Sequence, residues 1–129
     1  MKYFASRTIP NISYEQACEK VTAALQNEGF GVLTEIDIKA VMKKKLDKDY
    51  LPHLILGACN PVFADQVLQV EPNISMLLPC NVTIRELKTG EIEVAVIDPV
   101  SAMGMVDNKS IEPMAGEVKD ALNRMLNSL

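Results

Sequence analysis

The stretch "SMLLPCNVTIRELKTGEIEVAVID", Ser75 to Asp98, decides the fold. Its first half alternates. Met76, Leu78, Cys80, Val82 and Ile84 fall on one side of an extended chain, and Pro79, Asn81, Thr83 and Arg85 on the other, because successive side chains of a strand point to opposite faces. Thr89-Gly90 supplies a turn. "EIEVAVID" (91–98) then returns with Ile92, Val94 and Val96 set against Glu91 and Glu93. Two such runs joined by a turn predict an antiparallel hairpin. Its faces are half polar, which predicts helices packed on one side of the sheet only. Pro79 has no N–H to give to a ladder, so it predicts an edge strand or a strand end.

Working outward, "KYFASRTI" (2–9) alternates weakly and reads as a strand. The segment from Ser13 to Gly29 reads as a helix. Ser13 and Gln16 form a capping box, and Ile12 and Ala17 sit where a hydrophobic staple would. Tyr14, Ala17, Cys18, Val21, Ala24 and Leu25 share one helical face, and Gly29 ends the helix. "GVLTEIDI" (31–38) is a second strand. Residues 39–49 form a helix with Ile38, Val41, Met42 and Leu46 on one side and lysines on the other, broken by Pro52. His53 to Ala58 make a third strand. Asn60 caps, and Pro61 starts, a helix running to Glu71. Residues 99–108 read as a loop, and a last helix begins near Ser110 with Ile111, Ala115, Val118, Leu122, Met125 and Leu126 as its apolar stripe. Pro113 is tolerated there because it lies in the first turn. The order is β-α-β-α-β-α-β-β-α in one domain, residues 1–129, with a mainly antiparallel sheet of about five strands.

Bulk composition narrows the function. Hydrophobic residues are 48% and charged residues 23% of 129, a globular balance. The net charge of −4 excludes a sequence-independent grip on nucleic acid, which needs clustered Lys and Arg. Lys43-Lys44-Lys45 is partly cancelled by Asp47 and Asp49. No apolar run approaches the length of about 18 residues needed to span a membrane. The opening "MKYFASRTIPN" lacks the apolar centre of a secretory signal. Three cysteines, Cys18, Cys59 and Cys80, are an odd count that suits a reducing cytosol better than a disulfide scaffold. The expectation is a cytoplasmic protein with no membrane and no nucleic-acid partner.

Chemistry-bearing groups are few. Cys59 stands just before a helix start, where partial positive charge favours a thiolate. His53 lies six residues earlier, on the same side of the strand. Cys80 shares its face with Leu78, Val82 and Ile84, and Cys18 sits on a helical stripe; both read as core. His53, Cys59, Cys80 and Asp98 have no paired-ligand spacing, so no structural zinc is expected. Met103-Gly104-Met105 offers thioethers of the kind that bind cuprous copper, but methionine is more often a filler of cores. A hydrolytic triad fails on histidine count, and no Gly-x-Ser-x-Gly, P-loop or G-x-G-x-x-G is present. Asp98 and Glu112 have the chemistry of a general acid or base, but such residues at helix starts are commonly caps.

Cys-Asn occurs twice, in "GACNP" (57–61) and in "LLPCNVTI" (77–84), with "DP" at 98–99. In this order the motifs resemble the domain-of-unknown-function family 302, over nearly the whole chain. The resemblance implies a compact α+β domain whose helix-backed antiparallel sheet is likened to half of a TATA-binding-protein fold. It also implies a homodimer. It brings no established reaction, substrate or cofactor. It does imply that Asn60, Pro61, Pro79, Cys80 and Asn81 belong to one neighbourhood.

The resulting expectation is a non-enzymatic, dimeric module that binds a small ligand or a protein partner beside the Cys-Asn motifs. Its candidate site is Cys59, Asn60, Pro61, Pro79, Cys80 and Asn81, with His53 and Asp98. No cofactor and no metal are expected. Two rivals stand beside it. One is thiol-redox or soft-metal chemistry at Cys59 with Cys80 or His53. The other is a purely structural assembly domain in which the motifs are caps and core.

Overall fold

A computed structural model of the chain describes residues 2–129. Five strands form one sheet in the spatial order β1-β5-β4-β3-β2: β1 is Phe4–Ile9, β2 Gly31–Asp37, β3 His53–Cys59, β4 Cys80–Glu86 and β5 Ile92–Ile97. Every neighbouring pair is antiparallel. The hairpin read from Ser75–Asp98 is β4–β5, with Thr83 opposite Ala95 and Arg85 opposite Glu93.

The helices are α1 Tyr14–Asn27, α2 Ile38–Leu46, α3 Pro61–Val70, α4 Pro99–Met103 and α5 Ile111–Asn127. The α1 capping box is present in both directions, and Ile12 and Ala17 pack in the same core. Gly29 follows α1 at φ 82°, a left-handed conformation that costs glycine no Cβ clash. The main core lies between the sheet and the helices α1 and α5. Leu56, Val82, Ile84, Val94 and Val96 meet Val21, Leu25, Leu122 and Met125 there. A second, smaller cluster joins Val67, Ile74, Met103, Ile111 and Ala115 under α3 and α4. Arg7 donates to the carbonyls of Leu126 (3.3 Å) and Asn127 (3.1 Å). The cation thus meets the negative end of α5 and ties the first strand to the last helix.

Three expectations are corrected and one is narrowed. Ser75–Leu78 does not extend β4; Pro72–Leu77 is a 3-10 helix, so the strand begins only at Cys80. Pro79 stands just before Cys80, the first residue of β4, so of its two expected placements the strand end holds; β4 is the middle strand of the five. The segment after Asp98 is not all loop. Asp98 Oδ1 accepts from the N–H groups of Val100 (2.9 Å) and Ser101 (3.2 Å) and caps α4, with Pro99 in its first turn. Finally, α2 stops at Leu46, well before Pro52. Asp47 turns left-handed at φ 53°, its N–H bonds Lys43 O, and Lys43 pairs with Asp47 (2.9 Å) and Asp49 (3.2 Å).

One face of the sheet is left open by this arrangement. β4 and β5 bury Cys80, Val82, Ile84, Ile92, Val94 and Val96, while Asn81 and Arg85 are exposed. Ser6 and Thr8 on β1 are exposed as well. Helix α2 lies near the β2 edge and has no buried residue.

Candidate functional site

The two Cys-Asn motifs meet at one end of β3 and β4. Ala58 stands opposite Cys80 and Gly57 opposite Asn81. A Cβ on Gly57 would fall 2.8 Å from Pro79 Cγ and collide with Thr34 Oγ1. Glycine is therefore required there by the approach of the Pro79 ring and the β2 threonine. Cys59, Asn60, Pro79 and Cys80 line one cleft together with Phe63 and Met103. Pro61 follows at the first position of α3 and lies outside that cleft.

This cleft is small. Its volume is about 30 Å³, room for one water or so, and its lining is almost wholly apolar. Asn60 is committed to structure. Its Oδ1 accepts from Val62 N–H (3.1 Å) and Phe63 N–H (3.4 Å), and its Nδ2 reaches Glu28 O at 3.5 Å. The pair Asn60-Pro61 is thus the same device as Asp98-Pro99: a side-chain cap followed by proline at the helix start.

Burial acts on all three thiols. Burial pushes the Cys59 pKa up, where the helix start predicts a lowered one. The first-turn N–H groups of Val62 and Phe63 are directed to Asn60 Oδ1. Burial, with Cys59 as a second cause, raises Cys80 to about 11. Burial also raises Cys18, outweighing its hydrogen bond with Tyr14. Cys59 lines the small cleft and His53 the concavity of the open face, and they stand at the two ends of β3, about 20 Å apart at 3.3 Å per residue. Among the described residues no group of three or more His, Cys, Asp or Glu is placed to hold a metal ion. Asp98 is engaged as well. Its Oδ2 pairs with Lys119 Nζ at 3.0 Å. Burial alone would raise its carboxyl pKa, but Lys119 and the N–H groups of Ser101 and Val100 hold it below the ordinary value. Glu112 lies in the first turn of α5.

Two larger concavities are present, one of them adjoining the second Cys-Asn motif. One of about 250 Å³ runs past Pro79, Cys80 and Asn81 toward Ile97, Pro99 and Met76. Another, of about 410 Å³, occupies the open face of the sheet. Strand register orders its side chains in rows. His53, Arg85 and Glu93 cross the sheet at one end. Thr83 and Ala95 form a floor of small residues. Asn81, Ile97 and Phe4 lie at the other end, with Tyr3 beside them. The Phe4 and Tyr3 rings meet edge-to-face at 5.0 Å, and Lys2 Nζ stands 5.8 Å from the Phe4 centroid. Arg85 Nε donates to Glu93 Oε1 at 2.8 Å. Burial, then the neighbouring Arg85 charge, lowers the His53 pKa below its ordinary 6.5, with Glu93 opposing. Both causes favour the neutral imidazole of His53.

Of the residues picked from sequence, only His53 and Asn81 face this concavity. Thr83, Arg85, Glu93, Ala95 and Phe4 were not singled out. The available signal was the polar half of each alternating strand. The sequence lacked the register that aligns those halves.

A family model described as "Domain of unknown function DUF302" matches residues 5–129. The chain belongs to the DUF302 family. A search of curated proteins finds no match. Among solved structures, the DUF302 chain is similar to an uncharacterized conserved DUF302 protein from Bacillus stearothermophilus. The TM-score is 0.90 and the identity 23%, over 98% of each chain. That likeness establishes the fold: a single α+β domain with an open five-stranded antiparallel sheet. No helix of the described DUF302 chain is long and apolar enough to cross a membrane.

Proposed function

We propose that the protein is a non-enzymatic binding module whose ligand seats on the open face of the sheet. One observation carries this reading. The face holds a concavity of about 410 Å³, within the range of roughly 300–1,000 Å³ usual for small-molecule sites. It combines a few polar groups (His53, Asn81, Thr83, Arg85, Glu93) with an apolar floor and an aromatic end. The cleft between Cys59 and Cys80 offers about 30 Å³ and no unpaired polar side chain. Raised thiol pKa values and the separation of His53 from Cys59 speak against the redox and soft-metal alternative.

The proposed assembly is a homodimer. Its support is the β2 edge, where Leu33 and Ile36 are 66% and 44% exposed beside the unpaired N–H and C=O groups of an edge strand. A second copy at this edge would leave the concavity free.

The reading is tested by a fragment screen on the isotope-labelled chain followed by amide NMR. The expected result is that hits shift the amides of residues 81–85 and 93–97. Hits that shift only the neighbourhood of Cys59, Cys80 and α3 would overturn it. Light scattering tests the dimer: the expected mass is twice 14.2 kDa, and a monomer mass would refute it.

A further inference from the structure

We infer that the open-face groove takes an amphipathic carboxylate: an anionic head at Arg85 and an apolar tail lying over Ala95 toward Phe4. The inference rests on the reading of this face as a ligand site and names the chemistry the site selects. The head end contains one ion pair with unequal members. The Arg85 side chain is 46% exposed and that of Glu93 is 22% exposed, so the pair turns its cation outward and shields its anion. Only Nε of Arg85 is used by Glu93, which leaves the two Nη groups to donate to a carboxylate in fork geometry. The Asn81 amide and the Thr83 hydroxyl also line the groove.

Length follows from register. Arg85 to Asn81 is four residues along β4, about 13 Å. That is the length of an extended chain of roughly ten carbons, given C–C bonds near 1.5 Å. Between the two ends the floor is narrow in side chain: Ala95 and Thr83 stand opposite each other, and Ser6 stands opposite Ala95. Beyond them Ile97 and Phe4 form an apolar pair, with Tyr3 66% exposed alongside. The groove thus carries the Arg85–Glu93 pair at one end and small residues in the middle, and its far end presents Ile97 and the Phe4 ring beside the Asn81 amide, with Lys2 Nζ 5.8 Å from the Phe4 centroid.

The test uses the full chain, isotope-labelled, titrated at pH 7 with octanoate, and with acetate and 1-octanol as head-only and tail-only comparators. Octanoate is expected to shift the amides of residues 81–85 and 93–97 saturably. Acetate is expected to bind too weakly to saturate, because each buried methylene contributes roughly fourfold in affinity. Octanol should bind about tenfold more weakly than octanoate, the scale set by a hydrogen-bonded charge. Arg85→Gln should bring octanoate to the octanol level and leave octanol unchanged, with a dispersed spectrum reporting the fold. Ala95→Trp, which keeps Arg85 and fills the floor, should abolish both. Octanol binding as tightly as octanoate, or Arg85→Gln leaving octanoate unchanged, would overturn the head-group assignment while the face remained a ligand site. Shifts confined to the Cys59–Cys80 cleft would overturn both this inference and the reading beneath it. No saturable shift by octanoate would overturn the inference alone, since the fragment screen decides the site separately.

Discussion

Replacing Gly57 by alanine tests why the two Cys-Asn motifs belong together. The new methyl would stand 2.8 Å from Pro79 Cγ and inside contact distance of Thr34 Oγ1. The threonine hydroxyl is the end of a rotatable side chain and can turn away. The Pro79 ring cannot, so the β3 and β4 backbones must part. Overpacking of this kind costs about 1–3 kcal/mol. Alanine returns about 0.4–1 kcal/mol by reducing the freedom of the unfolded chain. The net expectation is a loss of about 1–2 kcal/mol. Unfolding entropy is about 2.1 cal/mol/K per residue, which over this domain makes roughly 0.27 kcal/mol/K and turns the loss into a Tm drop of about 4–8 °C. Calorimetry of the wild type, Gly57→Ala, Thr34→Ala and the double variant reads it. The double variant should recover part of the loss, since the hydroxyl clash is gone and the proline contact is not. A Gly57→Ala protein melting within about 1 °C of wild type would refute the close-approach argument, because the expected net loss of about 1–2 kcal/mol corresponds to several degrees.

Three further outcomes are expected. In urea, Asn60→Ala should lose about 0.5–2 kcal/mol as a vacated helix cap, whereas the exposed Asn81→Ala should stay within about 0.5 kcal/mol; equal losses would contradict the different roles given to the two asparagines. At pH 7.5 the folded protein should alkylate with iodoacetamide more slowly than free cysteine at all three thiols, Cys80 last, because burial lifts it to about 11; rapid modification of Cys59 would restore the activated-thiol reading. His53 has a folded pKa below its ordinary 6.5, so the unfolded chain takes up the proton first as pH falls. Stability should decline from pH 6.5 downward until the folded value is passed, and the Tm difference between pH 7 and pH 5 should be smaller in His53→Gln than in wild type; identical differences would show that His53 is not desolvated.

Legibility in the sequence followed the range of the interactions. Helix starts are legible from residues one to three apart: Ser13 with Gln16, and Asn60 with Pro61. The signal at Asp98-Pro99 is identical in kind to Asn60-Pro61, but the five-residue α4 carries no apolar period to distinguish it from a loop. The 3-10 helix at Pro72–Leu77 was misread because Met76 and Leu78 mimic strand alternation. The site was harder. The meeting of the motifs was inferred from composition and a family likeness, and the strand register then supplied its cause in the Gly57–Pro79 approach. The open-face groove assembles residues from β1, β3, β4 and β5. No spacing within one strand encodes which polar residue will stand beside which. The sequence places Arg85 on the polar side of one strand and Glu93 on the polar side of the next. That the two would pair and aim a guanidinium into a groove depends on the hairpin register, which Thr89-Gly90 fixes only once the turn geometry is known.

The most direct test of the account is a crystallographic soak of small amphipathic fragments into the folded protein. Density is predicted along β4 and β5, with a polar group within hydrogen-bond reach of Arg85 and a hydrocarbon portion over Ala95 toward Phe4. Fragments seated between Cys59 and Cys80, with the sheet face bare at full occupancy there, would contradict it.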